Sequence, residues 1–437
     1  MSSPVSSNVV ESIIDQFGAD HFKSAQQLRA SALNELKKSG LPHAKHEEYK
    51  FTHLTKVLEK DFNAKHFNTS ETNTGKFDLH LLPELEADHI VLVNGHFKKE
   101  LSTLKNSAKD ISIRSLEDVL NENNELLTDS FDTLRSAYKD PFSSLNTSFW
   151  TGGLYIQVPG NTQLKYPVVI YNFYDSRHDN ILINSRILGM IGNDSAMQII
   201  ERSENIGENK VFNNSTEEFI VGEKATFSFY KIQNEKKDLT QINNTLVHQK
   251  ESSKLSHGIF TFNGSMIRNN TTVVIDGENC ESQMNGLYLI NDKSHVDNHS
   301  VVDHKKPNSF SNELYKGVLD GQSKGVFNGK IFVRPHAQKT NAFQSNRNIL
   351  LTDTATINTK PQLEIWADDV KCSHGCTSGQ LDDEALFYLQ SRGIDKSTAK
   401  AILLYAFAYE VVEGISNEYL KNYLDKLITE KLHIPNP

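Results

Sequence analysis

Short runs rich in β-branched and aromatic residues dominate the middle of the chain, from residue 149 to about residue 370. Clusters of Asn, Asp, Gly and Ser separate these runs, and little helical periodicity lies between them. Many short strands at near-regular spacing indicate an all-β body. The clearest runs are residues 154–158 (LYIQV), 168–171 (VVIY), 218–221 (EFIV) and 271–275 (TTVVI).

A recurring tripeptide pattern narrows the architecture of this β body. An aromatic residue or Met is followed by a polar residue and then by Gly, at residues 262–264, 284–286, 315–317 and 327–329. We interpret these glycines as equivalent turns, because a solenoid stacks its turns and repeats them at roughly 20 to 50 residues. The pattern therefore predicts a parallel β-helix, and a β-sandwich is the alternative.

Helical periodicity marks both ends of the chain. Apolar residues recur at helical spacing between residues 7 and 40, where Gly40 closes the second predicted helix. Three more amphipathic helices are predicted after residue 379: the first ends at Gly393, the second is capped by Asp395 and the third by Ser416.

These segments divide the chain into four parts. The predicted parts are an N-terminal helical domain (1–76), a mixed α/β connection (77–148), the parallel β-helix core (149–377) and a C-terminal helical domain (378–437). The polar run at residues 68–76 is the best linker candidate.

Composition and missing motifs exclude several classes of protein. A formal net charge of -9 argues against nucleic-acid binding, which normally requires a basic surface. Three cysteines are too few for a disulfide framework, so free thiols in a reducing, cytoplasmic compartment are expected. No apolar run approaches the roughly 20 residues that span a membrane. Because no phosphate-binding G-x-x-x-x-G-K-[ST] motif occurs, any ATP dependence must come from another protein.

The most distinctive stretch is residues 370–394, where an extended segment runs into an amphipathic helix. Side chains alternate in an extended backbone, so Cys372, His374 and Cys376 should project from one side. Thiolate and imidazole bind iron, zinc and copper, but a closed structural zinc site needs four ligands. The run is therefore one ligand short unless a second chain supplies it. A stand-alone zinc site and simple packing of the cysteines as small hydrophobes are the alternatives.

A second polar array contains His295, His299 and His304, together with Asp297 and Asp303. We interpret the array as solvated turns, and a metal site on a loop is the alternative.

Two stretches resemble a known family. Residues 358–394 (NTKPQLEIWADDVKCSHGCTSGQLDDEALFYLQSRGI) resemble the signature of the SufB/SufD family of SUF iron–sulfur cluster assembly subunits. Residues 41–52 (LPHAKHEEYKFT) resemble the N-terminal motif of that family. The SufD side is favoured for two reasons. Residues 346–353 read NRNILLTD where SufB has a cysteine after its Arg-Asn motif, and residues 373–376 read SHGC where SufB has Glu-His-Glu-Ala. The resemblance implies a right-handed parallel β-helix flanked by N-terminal and C-terminal helical domains.

The resemblance also implies a function. The chain would be a non-catalytic scaffold that pairs with a SufB-like subunit, and His374 would face a cysteine of that partner across the interface. Cys372 matches the family's K-C-S-H pattern, and the role of Cys376 stays open. A transient iron–sulfur cluster is expected at this interface, and ATP would act only through a SufC-like ATPase. The residues expected to dock that ATPase are Leu381, Leu386, Phe387, Tyr388, Arg392 and Gly393.

The sequence leaves open whether a flavin binds the assembled complex and whether the chain forms a homodimer in isolation. A β-helix carbohydrate-active enzyme is the alternative from the enzyme class. Such enzymes generally work outside the cell, and the N-terminus lacks the basic and apolar regions of a secretion signal.

Overall fold

The computed structural model describes residues 8–17, 25–43, 45–67, 82, 85–122, 130–235 and 238–433. The predicted linker at residues 68–76 lies outside them. The described helices are α1 (Asn8–Phe17), α2 (Gln26–Ser39), α3 (Leu54–Asp61), α4 (Leu116–Glu122), α5 (Thr133–Ala137), α6 (Pro141–Phe149), α7 (Asp383–Ser391), α8 (Lys396–Tyr409) and α9 (Glu418–Lys431).

Nineteen strands of the described residues form two long sheets. They are β1 (Asp88–Val93), β2 (His96–Phe97), β3 (Ser112–Ser115), β4 (Gly152–Val158), β5 (Val168–Tyr174), β6 (Ile181–Ile191), β7 (Ala196–Asn205), β8 (Val211–Val221), β9 (Thr226–Gln233), β10 (Leu239–Gln249), β11 (Lys254–Thr261), β12 (Met266–Ile275), β13 (Glu281–Ile290), β14 (His295–His304), β15 (Phe310–Leu319), β16 (Lys324–Val333), β17 (Asn341–Leu350), β18 (Thr356–Ile365) and β19 (Lys371–Gly379).

From β4 onward, successive strands alternate between the two sheets, so neighbours within a sheet are two strands apart in sequence. All of these neighbours pair in parallel, and each turn of the chain adds one strand to each sheet. The antiparallel strands β2 and β3 close the N-terminal end. The predicted parallel β-helix with helices at both ends is therefore confirmed.

The space between the sheets is filled by side chains that stack in register. Phe219, Val247, Val273, Val302 and Ile331 occupy equivalent positions on successive strands of the nine-stranded sheet, and all are buried. Fully burying one such side chain contributes roughly 1.5–3 kcal/mol, so these stacks supply much of the stability of the solenoid.

A polar ladder runs beside this apolar stack. The Ser215 hydroxyl donates to Asn243 Oδ1 (3.0 Å), the Asn243 amide donates to Asn269 Oδ1 (2.9 Å), and the Asn269 amide donates to Asn298 Oδ1 (2.9 Å). These residues are in register on β8, β10, β12 and β14. Buried polar groups need hydrogen-bond partners, and here the polar side chains of each turn find them on the adjacent turn.

The interpretation of the recurring glycines as turns was wrong. Gly286, Gly317 and Gly329 lie inside strands, and only Gly264 lies outside one. A Cβ added at Gly286 would lie 2.1 Å from the Tyr315 ring, and one added at Gly317 would lie 2.2 Å from the Tyr288 ring. At Gly286 and Gly317 the pattern therefore marks places where a glycine makes room for a large side chain on the neighbouring turn.

We expect Gly317→Ala to lower the free energy of unfolding by about 1–3 kcal/mol, because the new methyl group overlaps the Tyr288 ring and the core cannot expand freely. The matched control is Gly375→Ala on β19, since no atom lies within 4 Å of its added Cβ. Urea unfolding measures both. Equal stability of the two variants would contradict the close-packing explanation.

The N-terminal helices pack on the outer face of the nine-stranded sheet. Leu33, Leu36 and Leu58 join one buried cluster with Phe212 and Ile242 of the sheet.

The N-terminal motif at residues 41–52 runs across the same sheet and contacts four of its strands. Glu47 forms an ion pair with Lys360 of β18 (2.6 Å), and Glu48 forms one with Lys330 of β16 (2.6 Å). The Arg268 guanidinium of β12 lies over the Tyr49 ring (3.9 Å), and the Thr52 hydroxyl donates a hydrogen bond to Asp297 of β14 (2.5 Å).

The second histidine array does not form solvated turns. His295, Asp297 and His299 lie on β14 beneath this N-terminal motif, and Thr52 Oγ1 lies 2.8 Å from His295 Nε2. Burial alone would raise the pKa of Asp297, but His299 and Arg268 hold that pKa well below its usual range. These three residues therefore form a buried ionic junction between the N-terminal motif and the solenoid. His304 and Asp303, farther along β14, bond instead to Ser311 and to Tyr138 and Arg334.

The C-terminal helices cover part of the outer face of the ten-stranded sheet. Leu404 and Leu424 belong to the same buried cluster as Val169 and Ile200 of that sheet.

The capping residues of two C-terminal helices test the sequence predictions. Asp395 caps α8 as predicted, since its carboxylate accepts hydrogen bonds from the backbone N–H groups of Ser397 and Thr398. The predicted Ser416 cap was wrong. Asn417 caps α9, and its amide also donates to Gln198 of β7 (2.6 Å), which fixes the start of the helix on the sheet.

Candidate functional site

The last turn of the solenoid presents two free strand edges. β18 pairs only with β16 and β19 pairs only with β17, so each strand ends its sheet within the described part of the chain. Most residues of both strands are at least partly exposed. We call β18 and β19 together the terminal turn. An unpaired edge offers backbone donors and acceptors to another strand.

Pro361 fits the edge position of β18. The Thr356 N–H donates to Ser323, and N–H groups alternate in direction along a strand, so the odd-numbered residues of β18 point their N–H positions away from β16. Pro361 lacks an N–H and stands at such a position. Proline is tolerated there because no hydrogen bond within the chain is lost.

The three residues of the predicted cysteine–histidine run lie on β19. Cys372 is in register with Ala342, His374 with Gln344, and Cys376 with Asn346 of β17. Cys372 is half-buried against the main apolar core. Cys376 is exposed, and its Sγ accepts a hydrogen bond from Thr359 Oγ1 of β18 (3.4 Å). Both sulfurs thus face the space between the sheets, and the alternation of side chains places His374 on that face as well.

The three side chains differ in chemical state. Burial raises the pKa of the Cys372 thiol, which favours its protonated form. His374 and Cys376 are exposed at the open end of the solenoid. All three cysteines of the chain are free, as predicted, and Cys280 lies buried elsewhere in the solenoid.

No group of three His, Cys, Asp or Glu side chains among the described residues is arranged to hold a metal ion. The stand-alone zinc site on Cys372, His374 and Cys376 therefore has no support from the geometry. The single exposed imidazole can still act as one ligand if a second polypeptide brings others.

The residues predicted to dock an ATPase lie on and around α7. Asp382 caps this helix, and none of its residues is buried. Phe387 is 72% exposed and Tyr388 is 57% exposed, whereas Leu381 and Leu386 are partly buried. The Arg392 guanidinium lies over the Tyr388 ring (5.2 Å), and Gly393, at φ +88°, ends the helical segment. The structure thus brings the exposed aromatic residues together on one short helix.

Sequence reasoning missed an aromatic group beside the terminal turn. Trp366 is 48% exposed and stacks on Phe332 (6.2 Å), and the Arg334 guanidinium lies over both rings. Ile365 next to it is also exposed. Two large apolar residues in the charged stretch LEIWADD were the signal that could have identified this surface.

Comparison with known protein families identifies the family of this chain. The family model "SUF system FeS cluster assembly, SufBD core domain" matches residues 174–407, which is more than half of the chain. The chain belongs to the SufBD family. A second model, the SufBD protein N-terminal region, matches residues 11–170. The resemblance of the terminal stretch to this family is confirmed.

SufBD relatives match along nearly the whole chain. An iron–sulfur cluster assembly SufBD family protein of Synechocystis is 30% identical over 397 residues, covering 89% of this chain and 87% of the relative. The iron–sulfur cluster assembly protein SufD of Escherichia coli is 28% identical and covers 98% of both chains. Protein ABCI7, chloroplastic, of Arabidopsis thaliana is 27% identical and covers 96% of this chain.

Membership in the SufBD family gives the general function. The chain is an iron–sulfur cluster assembly protein of the SUF system, and SufBD proteins are an assembly family rather than a known enzyme family. Within the described residues, no helix has the length and apolar character needed to cross a membrane.

Proposed function

We propose that the chain is the SufD-like scaffold of a three-component assembly. Its terminal turn pairs with a SufB-like subunit, its helix α7 docks a SufC-like ATPase, and a transient iron–sulfur cluster is assembled at the subunit interface. The observation that carries the proposal is an exposed histidine, His374, on a strand whose outer edge is unpaired.

Strand addition is the physical basis of the subunit pairing. β19 exposes an edge without proline, and a partner strand that joins it gains main-chain hydrogen bonds. Pro361 removes one outward donor from the edge of β18, so β19 is the strand that we assign to this pairing. Trp366 and Ile365 add apolar area beside the same edge. In the absence of the SufB-like subunit, the same edge is available to a second copy of this chain, so a homodimer is expected in isolation.

His374 supplies one ligand for the cluster, which is the cargo of the assembly. A neutral imidazole and thiolates are suitable ligands for iron. Cys372 is half-buried with a raised thiol pKa, so the partner's cysteine, rather than Cys372, completes the set. Cys376 is exposed on the same face and stays a second candidate ligand.

The helix α7 provides the ATPase contact. Exposed aromatic residues are favoured anchors in protein interfaces, and Phe387 and Tyr388 are the most exposed large apolar side chains of the described residues. ATP-driven movement of the docked ATPases would pull on α7, which follows β19 directly in the chain. The movement would thereby open the interface at His374.

We expect the double variant Phe387→Asp with Tyr388→Asp to reduce ATPase binding at least about thirtyfold, since removing aromatic anchors from the centre of an interface costs roughly 2 kcal/mol or more. Co-purification of the ATPase with the co-expressed complex measures the effect. Leu104→Asp is the matched control, because Leu104 is also exposed (52%) but follows Thr103, which bridges to β1 near the opposite end of the ten-stranded sheet from β19. Retained ATPase in the double variant would refute the docking assignment.

A further inference from the structure

A column of inward-facing side chains in the ten-stranded sheet leads to His374. Parallel register places Glu313 of β15 beside Gln344 of β17, and Gln344 beside His374 of β19. Glu313 is fully buried and Gln344 is only 3% exposed, whereas His374 is exposed. The column therefore connects the closed interior of the solenoid with its open end.

Only the NH2 group of the Gln344 side-chain amide forms a hydrogen bond within the described part of the chain. Its Nε2 donates a hydrogen bond to Glu313 Oε2 on the preceding turn. Its Oε1 is buried and has no hydrogen-bond partner among the described residues. A buried acceptor without a partner costs about 1–3 kcal/mol, so this oxygen requires an explanation.

The position of Gln344 is enforced from the opposite sheet. Gly329 of β16 faces it across the interior, and a Cβ added there would lie 2.2 Å from Gln344 Nε2. Gly329 therefore leaves room for the Gln344 amide, and any larger residue at position 329 would overlap it. A side chain held so closely can present its free oxygen in a fixed direction.

The ladder from Ser215 to Asn298 shows how this solenoid satisfies such groups. In that ladder every polar side chain bonds to the in-register polar side chain of the adjacent turn. The residue in register with Gln344 on the open side is His374, whose ring carries an N–H donor.

We propose that Gln344 is a positioning residue for His374: its buried carbonyl oxygen accepts one imidazole N–H and thereby directs the other ring nitrogen toward the partner. A metal-binding histidine commonly donates its second N–H to such an acceptor, which fixes the tautomer and the ring orientation. The assignment rests on the proposed role of His374 as a ligand, but the proposed hydrogen bond joins two residues of this chain and needs no partner subunit to form.

The test is the tautomer ratio of His374 in the full-length chain, measured by NMR on isotope-labelled histidine. His374→Ala identifies the signal. The measurement is made at about pH 8.5, above the ordinary histidine pKa of roughly 6.5 and above the pKa of Glu313, which burial raises to about 7. We expect Gln344→Met, which keeps the shape but removes the acceptor, to change the tautomer ratio about three- to tenfold, the effect of one hydrogen bond.

Two further variants separate positioning from general destabilisation. The exchange Glu313→Gln with Gln344→Glu keeps both the internal hydrogen bond and an acceptor facing His374. Because a carboxylate accepts more strongly than an amide oxygen, it should favour the wild-type tautomer at least as much as wild type does. Gln233→Met removes another buried amide, on β9, and should leave the ratio unchanged. The same ratio in wild type and Gln344→Met would overturn the inference. A His374→Ala variant with normal cluster assembly would instead overturn the proposed function and leave this hydrogen bond standing.

Discussion

Replacing His374 with Ala is expected to lower cluster formation by the assembled complex at least about tenfold, because even the loss of a residue that only orients a metal ligand costs roughly 10- to 100-fold. The subunits should still co-purify, because the variant keeps the backbone edge of β19 that joins the partner strand. Iron and sulfide content of the purified complex, per subunit, measures the effect. The imidazole contributes a ligand, so its loss removes cluster binding without removing the scaffold.

His336→Ala is the matched control for this experiment. His336 is also exposed and lies on a turn of the solenoid, but not on β18 or β19. It should leave the iron and sulfide content unchanged. Unchanged content in His374→Ala as well would remove His374 from the site, and loss of the complex in His374→Ala would show a structural role instead.

The solenoid and the geometry of the cysteine–histidine run were predictable because both follow from local rules. Strand spacing between residues 149 and 370 predicts stacked short strands, and the alternation of side chains places Cys372, His374 and Cys376 on one face. The helix after Gly379 and the cap at Asp395 likewise depend on residues within a few positions of each other. None of these predictions depends on contacts between residues that are distant in the sequence.

The contacts that the sequence did not reveal join distant residues. Glu47 pairs with Lys360, 313 positions away, and Thr52 donates to Asp297, 245 positions away. The complementarity of Gly317 with Tyr288 also depends on the register between turns, which tripeptide similarity alone does not set. For this reason the glycines were interpreted as turns and the His295 array as solvated.

The Asn417 cap illustrates the same limit at short range. Ser416 and Asn417 are both good capping residues, so local propensity does not choose between them. The choice follows from the contact between Asn417 and Gln198 on a strand 219 positions away. Helix existence was therefore predictable, and its first residue was not.

Blocking the free edge of β19 is expected to weaken subunit pairing while leaving the fold intact. The Lys371 N–H donates to Thr340, so odd-numbered residues of β19 bond to β17 and even-numbered residues point their N–H groups outward. Ser378→Pro removes an outward donor and places a proline ring against the incoming strand. We expect binding of the SufB-like subunit to weaken at least tenfold, or about 1.4 kcal/mol, by a quantitative pull-down or calorimetry.

Ser373→Pro is the matched control, because it makes the same substitution at an inward-bonding position of the same strand. It should lower the free energy of unfolding by about 1–3 kcal/mol through the lost ladder hydrogen bond, whereas Ser378→Pro should unfold at the wild-type urea concentration. If Ser378→Pro is as stable as wild type and still binds the partner at full affinity, then β19 does not form the subunit interface. The partner would then have to be held by side chains of β18 and by the surface around Trp366, which are also exposed at this end of the solenoid.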